Sequence, residues 1–265
     1  MKKTTIIISS LIILAGVIFY SCSKEDKQIN KTQNVVNDFK QIINNVDITS
    51  FNKAIDVYFP ENPYDSIGIL HNIVLQKLNE QNLLLYNSNI KDVISSLEII
   101  FNKTLNDNDY IGYVKQLKSE IIINEVDYNE SFINSLNTLT IDEKEIVNNY
   151  FLTMFSTTDV GGIIAKSKAA EHFIINSNSF SNIEKERMLK TFAIFRHSSS
   201  FWADFNKLKL NKHLAKVLAS AVDAISYYCA ANCINVNCDD FQDGKDLHMY
   251  SGLMSSIYYV LFGGF

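Results

Sequence analysis

Pro60 and Pro63 are the two prolines of this 265-residue chain, and it holds nine glycines. Average usage would supply about 13 prolines and 18 glycines at this length. A chain so poor in breakers can run long helices almost anywhere, so hydrophobic spacing decides its class. That spacing is three and four nearly throughout. Val36, Phe39, Ile42 and Ile43 share one stripe, and Ile67, Leu70, Val74 and Leu78 share another after the prolines. Ile90, Val93, Ile94, Leu97, Phe101 and Leu105 form the cleanest stripe in the chain. No stretch alternates with period two, and no segment length recurs at a fixed period. The expectation is an all-α protein: a multi-helix bundle over residues 35–265, with a soft boundary near 176–181.

Local signals place several helix ends. A short helix is expected over Ile48 to Tyr58, stopped by Pro60-Glu61-Asn62-Pro63, because proline disfavours helix at the residue before it. Asn87-Ser88-Asn89 offers a cap for the stripe that follows. Thr140 with Glu143, and Ser181 with Glu184, read as capping boxes. Asp159-Val160-Gly161-Gly162 opens a helix toward Ile175. Leu208 to Ala231 and Met249 to Phe262 read as two apolar C-terminal helices.

The first residues follow a different logic. Lys2 and Lys3 precede an apolar run, Ile6 to Phe19, broken only by Ser9, Ser10 and Gly16, and Ser21 sits directly before Cys22. The run suits a signal-peptide core of about 7–15 residues and is short of the ~20 a spanning helix needs. Phe19-Tyr20-Ser21-Cys22 resembles the lipobox of bacterial lipoproteins, with Phe19 in the place usually taken by Leu. The resemblance implies cleavage before Cys22, a lipid on its sulfur and an acylated amino group. Residues 1–21 are then a signal peptide and 22–34 a flexible tether. Ser23-Lys24-Glu25-Asp26 is similar to the charged tag that exports Bacteroidota-type lipoproteins to the cell surface. A plain solvated tether on the periplasmic face is the other reading of the same charges.

Formal net charge is −5. An acidic chain without a basic stripe is a poor nucleic-acid binder, so no nucleic-acid partner is expected. Nucleophile elbow, Walker A, zincin and dinucleotide fingerprints are missing, and no cofactor is expected. Ser88 and Lys91 fit S-x-x-K, but a cap explains Ser88 better. Gly161-Gly162 could cradle an anion at a helix start, or allow close helix packing.

With Cys22 lipidated, Cys229, Cys233 and Cys238 remain. A local disulfide from Cys238 to Cys229 or Cys233 is the leading reading, with Cys233 slightly favoured by its shorter loop. Free buried thiols, or a zinc site of the three cysteines with His248, stay open. Asp239, Asp243, Gly244 and Asp246 hint at a calcium loop, but Phe241 and Tyr250 stand where it needs carboxylates, so no metal is expected. Asp65-Ser66-Ile67 resembles the Asp-Ser/Thr-apolar sequon of exported Bacteroidota-type proteins, which would make Ser66 an O-glycan acceptor. The rival role for Asp65 or Ser66 is to cap the helix that follows.

Arg196-His197-Ser198-Ser199-Ser200-Phe201-Trp202, followed by Val222-Asp223-Ala224, resembles a loosely defined group of Bacteroidota-type lipoproteins to which no activity is attached. The chain departs from the group in carrying bulky Tyr227, Tyr228 and Tyr259. Read from the residues alone, Arg196, Ser199 and Asp223 make a buried polar network, with Arg196 paired to Asp223. The main functional expectation is a lipid-anchored helical binding module without catalysis, its partner a protein or small molecule of unknown identity. A membrane-active protein using the apolar hairpin Leu208–Phe265 is one alternative. An enzyme with its site near Arg196, His197 and Asp223 is another.

Overall fold

A computed structural model describes residues 34–47, 56–84, 90–101 and 139–204. The protein is all-α: the described residues are mostly helical and contain no strand. Their helices are α1 (34–44), α2 (Asp65–Glu80), α3 (Ile90–Phe101), α4 (Ile141–Phe155), α5 (Val160–Asn176) and α6 (Asn182–Asp204). Cys22, Ser88, Asp223, Cys229, Cys233, Cys238, His248, the acidic loop after Cys238 and the C-terminal apolar helices lie outside the described residues. So does the expected signal peptide.

The bundle is organised around α6, whose residues 191–199 are buried on every side. A helix shut in all round belongs to the centre of a fold. One side of it is aromatic. Phe192 stacks on Tyr150 of α4 at 3.8 Å, and Phe195 meets Tyr150 and Phe151 edge-on at 5.5 and 5.7 Å. Phe39 of α1 packs edge-on against Phe173 of α5. A single hydrophobic cluster joins α1, α4, α5 and α6, with residues on both sides of 176–181. Inside it the Tyr150 hydroxyl and Ser167 Oγ bond at 2.9 Å, tying α4 to α5.

The other side of α6 receives α2 and α5. The approach of α2 depends on Gly68. A Cβ there would fall 2.4 Å from His197 Cδ2 and 2.6 Å from the Ala193 carbonyl oxygen, so any larger residue would force the helices apart.

The helix ends carry the expected chemistry with one change. Ser181 and Glu184 form the reciprocal box: Ser181 N donates to Glu184 Oε2 at 2.7 Å, and Glu184 N to Ser181 Oγ at 3.3 Å. Thr140 caps α4 by accepting from Glu143 N, and its hydroxyl donates to Glu184 Oε1, pairing the starts of α4 and α6. The Glu143 carboxylate, however, turns inward to a forked pair with Arg187. Helix α2 closes with Asn82 in the left-handed region at φ 57°, Leu83 N bonding Leu78 O and Asn82 N bonding Asn79 O. That pair of bonds defines a Schellman stop, with asparagine where glycine is usual.

Two expectations fail in detail. Ile42 and Leu70 are 42% and 43% exposed, not inward. The buried face of α2 is instead Asp65, Gly68, His71, Val74, Leu75 and Leu78. It is rotated because close approach at Gly68 and a charged partner for Asp65 outweigh one more buried leucine. The helix expected to reach Tyr58 does not do so: residues 56–59 are irregular. Pro60 disfavours helix at Phe59, and α6 and α2 take up the backbone groups of this segment.

Candidate functional site

Four charged or titratable side chains from three helices meet beside α6. Arg196 and His197 come from the middle of α6, Glu171 from α5 and Asp65 from the first turn of α2. Glu171 lies on the inward stripe Ile164, Ser167, Glu171 and Ile174, so helical spacing alone aims it at α6. Asp65 sits where the helix dipole favours a carboxylate.

Arg196 is the hub. Its Nε donates to Glu171 Oε1 at 2.8 Å and its Nη2 to Glu171 Oε2 at 2.9 Å, a planar fork that lysine could not reproduce. Nη2 also donates to Asp65 Oδ1 at 2.6 Å, and Nη1 to the Val57 carbonyl oxygen. His197 Nε2 lies 2.9 Å from Asp65 Oδ1. An ionised carboxylate only accepts, so Nε2 carries the proton and donates. Asn72 of α2 fixes the same turn of α6 by donating to the His197 carbonyl oxygen at 2.7 Å.

The segment 56–64 crosses over this cluster. Phe59 N donates to Asp65 Oδ2 at 3.2 Å, and Asn62 Nδ2 donates to Glu171 Oε2 at 2.6 Å and to Leu189 O at 3.0 Å. The Phe59 ring lies against the Arg196 guanidinium, 5.8 Å to its centroid, and Tyr58 meets His197 edge-on at 5.9 Å. Lys168 of α5 donates to the Asp56 carbonyl oxygen at 2.6 Å and also lies near the Phe59 ring.

Arg196 and Glu171 are fully buried, His197 is 2% exposed and Asp65 7%. Burial works on each group, and its neighbours answer. For Asp65, burial would raise the carboxyl, but bonds from His197 and Arg196 override it and hold the group far below the usual carboxylate range. For Glu171, burial wins and the carboxyl is raised, although Arg196 and Asn62 pull it back. Burial also lowers His197 from its ordinary 6.5, opposed by Asp65 and reinforced by the charge of Arg196. Arg196 stays charged, raised against its own burial by Glu171 and Asp65. With His197 neutral, two carboxylates face one guanidinium. Lys168, at the edge, has its own pKa lowered, chiefly by burial and then by Arg196.

Of the sequence-selected residues, Arg196 and His197 belong to the cluster. Ser199 does not: it is buried, and its Oγ has no hydrogen-bond partner among the described residues. Asp223 lies outside them, and Arg196 already takes Asp65 and Glu171. Ser66 is exposed in the first turn of α2, while its neighbour Asp65 points inward. Neither Asp65 nor Ser66 is the N-cap of α2. Tyr64 holds that position, and Asn62 Oδ1 accepts from Tyr64 N at 2.9 Å. At Gly161-Gly162 the chain supplies its own anion, Asp159 Oδ1 accepting from Gly162 N at 2.6 Å.

Asp65, Glu171 and Asn62 are the members that sequence reading missed. The signal was a single carboxylate on the inward stripe of α5, and an Arg-His pair set between Phe192, Phe195 and Trp202, which demands buried counter-charge. A histidine oriented by an aspartate is half of many nucleophilic sites. Here its Nε2 is committed to Asp65, and water is shut out. Among the described residues, no group of His, Cys, Asp and Glu is placed to hold a metal, and no helix is long and apolar enough to cross a membrane. No protein-family model, curated protein or solved structure matches this chain.

Proposed function

We propose that this protein is a lipid-anchored, helical binding or interaction module, and that the Arg196 cluster is a structural clasp for it, not a reaction centre. One observation carries the second half: all four charged or titratable groups are shut from solvent and bonded to one another. A substrate could reach them only by lifting the segment 56–64 or by parting α2, α5 and α6. The first half rests on the lipobox-like Phe19 to Cys22 for the lipid anchor, and on the charged Ser23 to Asp26, which would carry the anchored bundle to the outer face of the outer membrane. Two or three acyl chains hold a protein at a membrane, at ~0.8 kcal/mol per buried methylene.

Stability separates clasp from catalyst. Active sites keep strained or uncompensated groups at the expense of stability, so neutralising one often stabilises a fold. A clasp behaves in the opposite way. Glu171→Gln and Asp65→Asn should each lower the thermal midpoint; a rise in both would return the cluster to the enzyme reading. For the anchor, labelled palmitate should enter the wild type and not Cys22→Ala, and equal labelling of the two would end it.

A further inference from the structure

The segment 56–64 is held in an unusual way. Pro60, Glu61 and Pro63 are exposed, Tyr58 is 52% exposed, and Val57 and Phe59 are only half-buried. No apolar side chain of 56–63 enters the core. Tyr64, at the end that joins α2, packs partly buried against the core, and the remaining attachments to the helices are polar, cation–ring or ring–ring contacts. Arg196 holds the Val57 carbonyl, Asp65 the Phe59 amide, Glu171 and the Leu189 carbonyl the Asn62 amide, and Lys168 the Asp56 carbonyl. Outside, His172 Nδ1 and Glu61 Oε2 lie 2.9 Å apart with both side chains well exposed. Helices α2, α5 and α6, by contrast, carry buried apolar side chains along their length. Elements with few buried apolar contacts open at lower free energy than the core they lie on.

We propose that 56–64 is a strap that opens separately from the helices, and that a proton on His197 is the trigger. The chemistry lies at one atom. Asp65 Oδ1 accepts from both Arg196 Nη2 and His197 Nε2, and His197 Nε2 is 3.4 Å from Arg196 Nη1. While the imidazole is neutral, one cation and one neutral donor share that oxygen. Protonated, the ring becomes a second buried cation touching the first. The groups around it are Asp65 and His71 from α2, Arg196 on its own helix and the Tyr58 ring from the strap. From α5, Glu171 is committed to Arg196, and Lys168 adds positive charge beside Phe59. Lifting the strap removes the Tyr58 ring from the imidazole and lets water reach the new charge.

The sign follows from linkage. His197 is lowered in the closed form and regains its ordinary 6.5 when hydrated, so the open form binds the extra proton. Closure is therefore fully stable above 6.5 and weakens as pH falls below it. Glu171, raised when closed, acts the other way below its own closed value, so the switch works in a window of mild acidity.

Hydrogen exchange on the full chain in detergent tests this, after correction for the intrinsic pH dependence of exchange. One proton taken up on opening changes an opening constant by up to about tenfold per pH unit below 6.5, so between about pH 7.5 and about pH 5.5 the strap amides should open more, by up to about tenfold. Residues 191–199 of α6 should keep their protection. Loss of protection in both regions together, or no change in the strap, overturns the proposal. His197→Gln keeps a donor toward Asp65 and cannot titrate, so its strap should respond to neither pH; a wild-type response in that variant also overturns it. Should His197→Gln fail to fold, the His197 ring titrated by NMR in the wild type must share its midpoint with strap opening. Separate midpoints sink the idea.

Discussion

Helix α6 makes two forked arginine–carboxylate contacts, and they teach different things. Near its start, Arg187 binds Glu143 through Nε at 2.8 Å and Nη2 at 2.5 Å, with the arginine side chain 19% exposed. Two turns on, fully buried Arg196 binds Glu171 in the same fork, then adds Asp65 and the strap. The first contact sits nearer the surface, a partly exposed guanidinium over the buried Glu143 carboxylate. The second sets two carboxylates against one guanidinium, with a histidine held neutral beside it. Identical chemistry at the fork thus serves to join two helices in one place and to hold three helices and a strap in the other. The burial of the guanidinium and the added bonds of Arg196 to Asp65 and the strap make the difference.

Removing each guanidinium breaks the comparison most directly. Arg196→Met leaves Asp65 and Glu171 buried without their cation, and urea denaturation should show a loss of about 3–5 kcal/mol. Such a loss is a large fraction of a typical domain's stability. Arg187→Met strands one buried carboxylate, Glu143, beneath a partly exposed arginine, and should lose about 1–3 kcal/mol. Equal losses would mean that the deeper burial of Arg196 and its bond to Asp65 contribute nothing.

Packing on the clasp side comes next. Gly68→Ala drives a methyl into His197 and the Ala193 carbonyl, and should lose about 1–3 kcal/mol by the same measurement. Ser66→Ala, on the exposed side of the same turn, should stay within about 0.5 kcal/mol. A tolerant Gly68 would show that α2 is less tightly set against α6 than described.

A pH series then sharpens the contrast between the two contacts. His197 is lowered in the folded protein, so its share of stability is present above its ordinary 6.5 and declines below it, by up to about 1.4 kcal/mol per pH unit. Asp65 is lowered too, so its share is lost only in much stronger acid, below its ordinary 3.8. His197→Gln should flatten the first decline and leave the second. An unaltered profile in that variant would assign the decline to another group.

The smallest of the losses beyond the Ser66→Ala control is at the paired helix starts. Ser181→Ala removes one side of the capping box and should lower stability by about 1 kcal/mol, read from the urea midpoint at unchanged slope.

The helical class, the starts of α4, α5 and α6, and the inward positions Val36, Phe39, Val74 and Leu78 were all legible in the sequence. Each depends on spacing three to four residues apart, or on a cap within one turn. Short-range rules suffice for those because the interacting groups are neighbours along the chain. Arg196 was legible as a residue in need of a partner, but its partners were not. Asp65 lies 131 positions away and Glu171 25, and no local rule distinguishes them from the other acidic residues. Leu70 shows the same limit from the other side: a sound apolar stripe lost its place when Gly68 and Asp65 turned α2 about its axis. Spacing says which residues share a face. Only the tertiary packing, where close approach and buried charge are weighed against apolar area, decides which face turns inward.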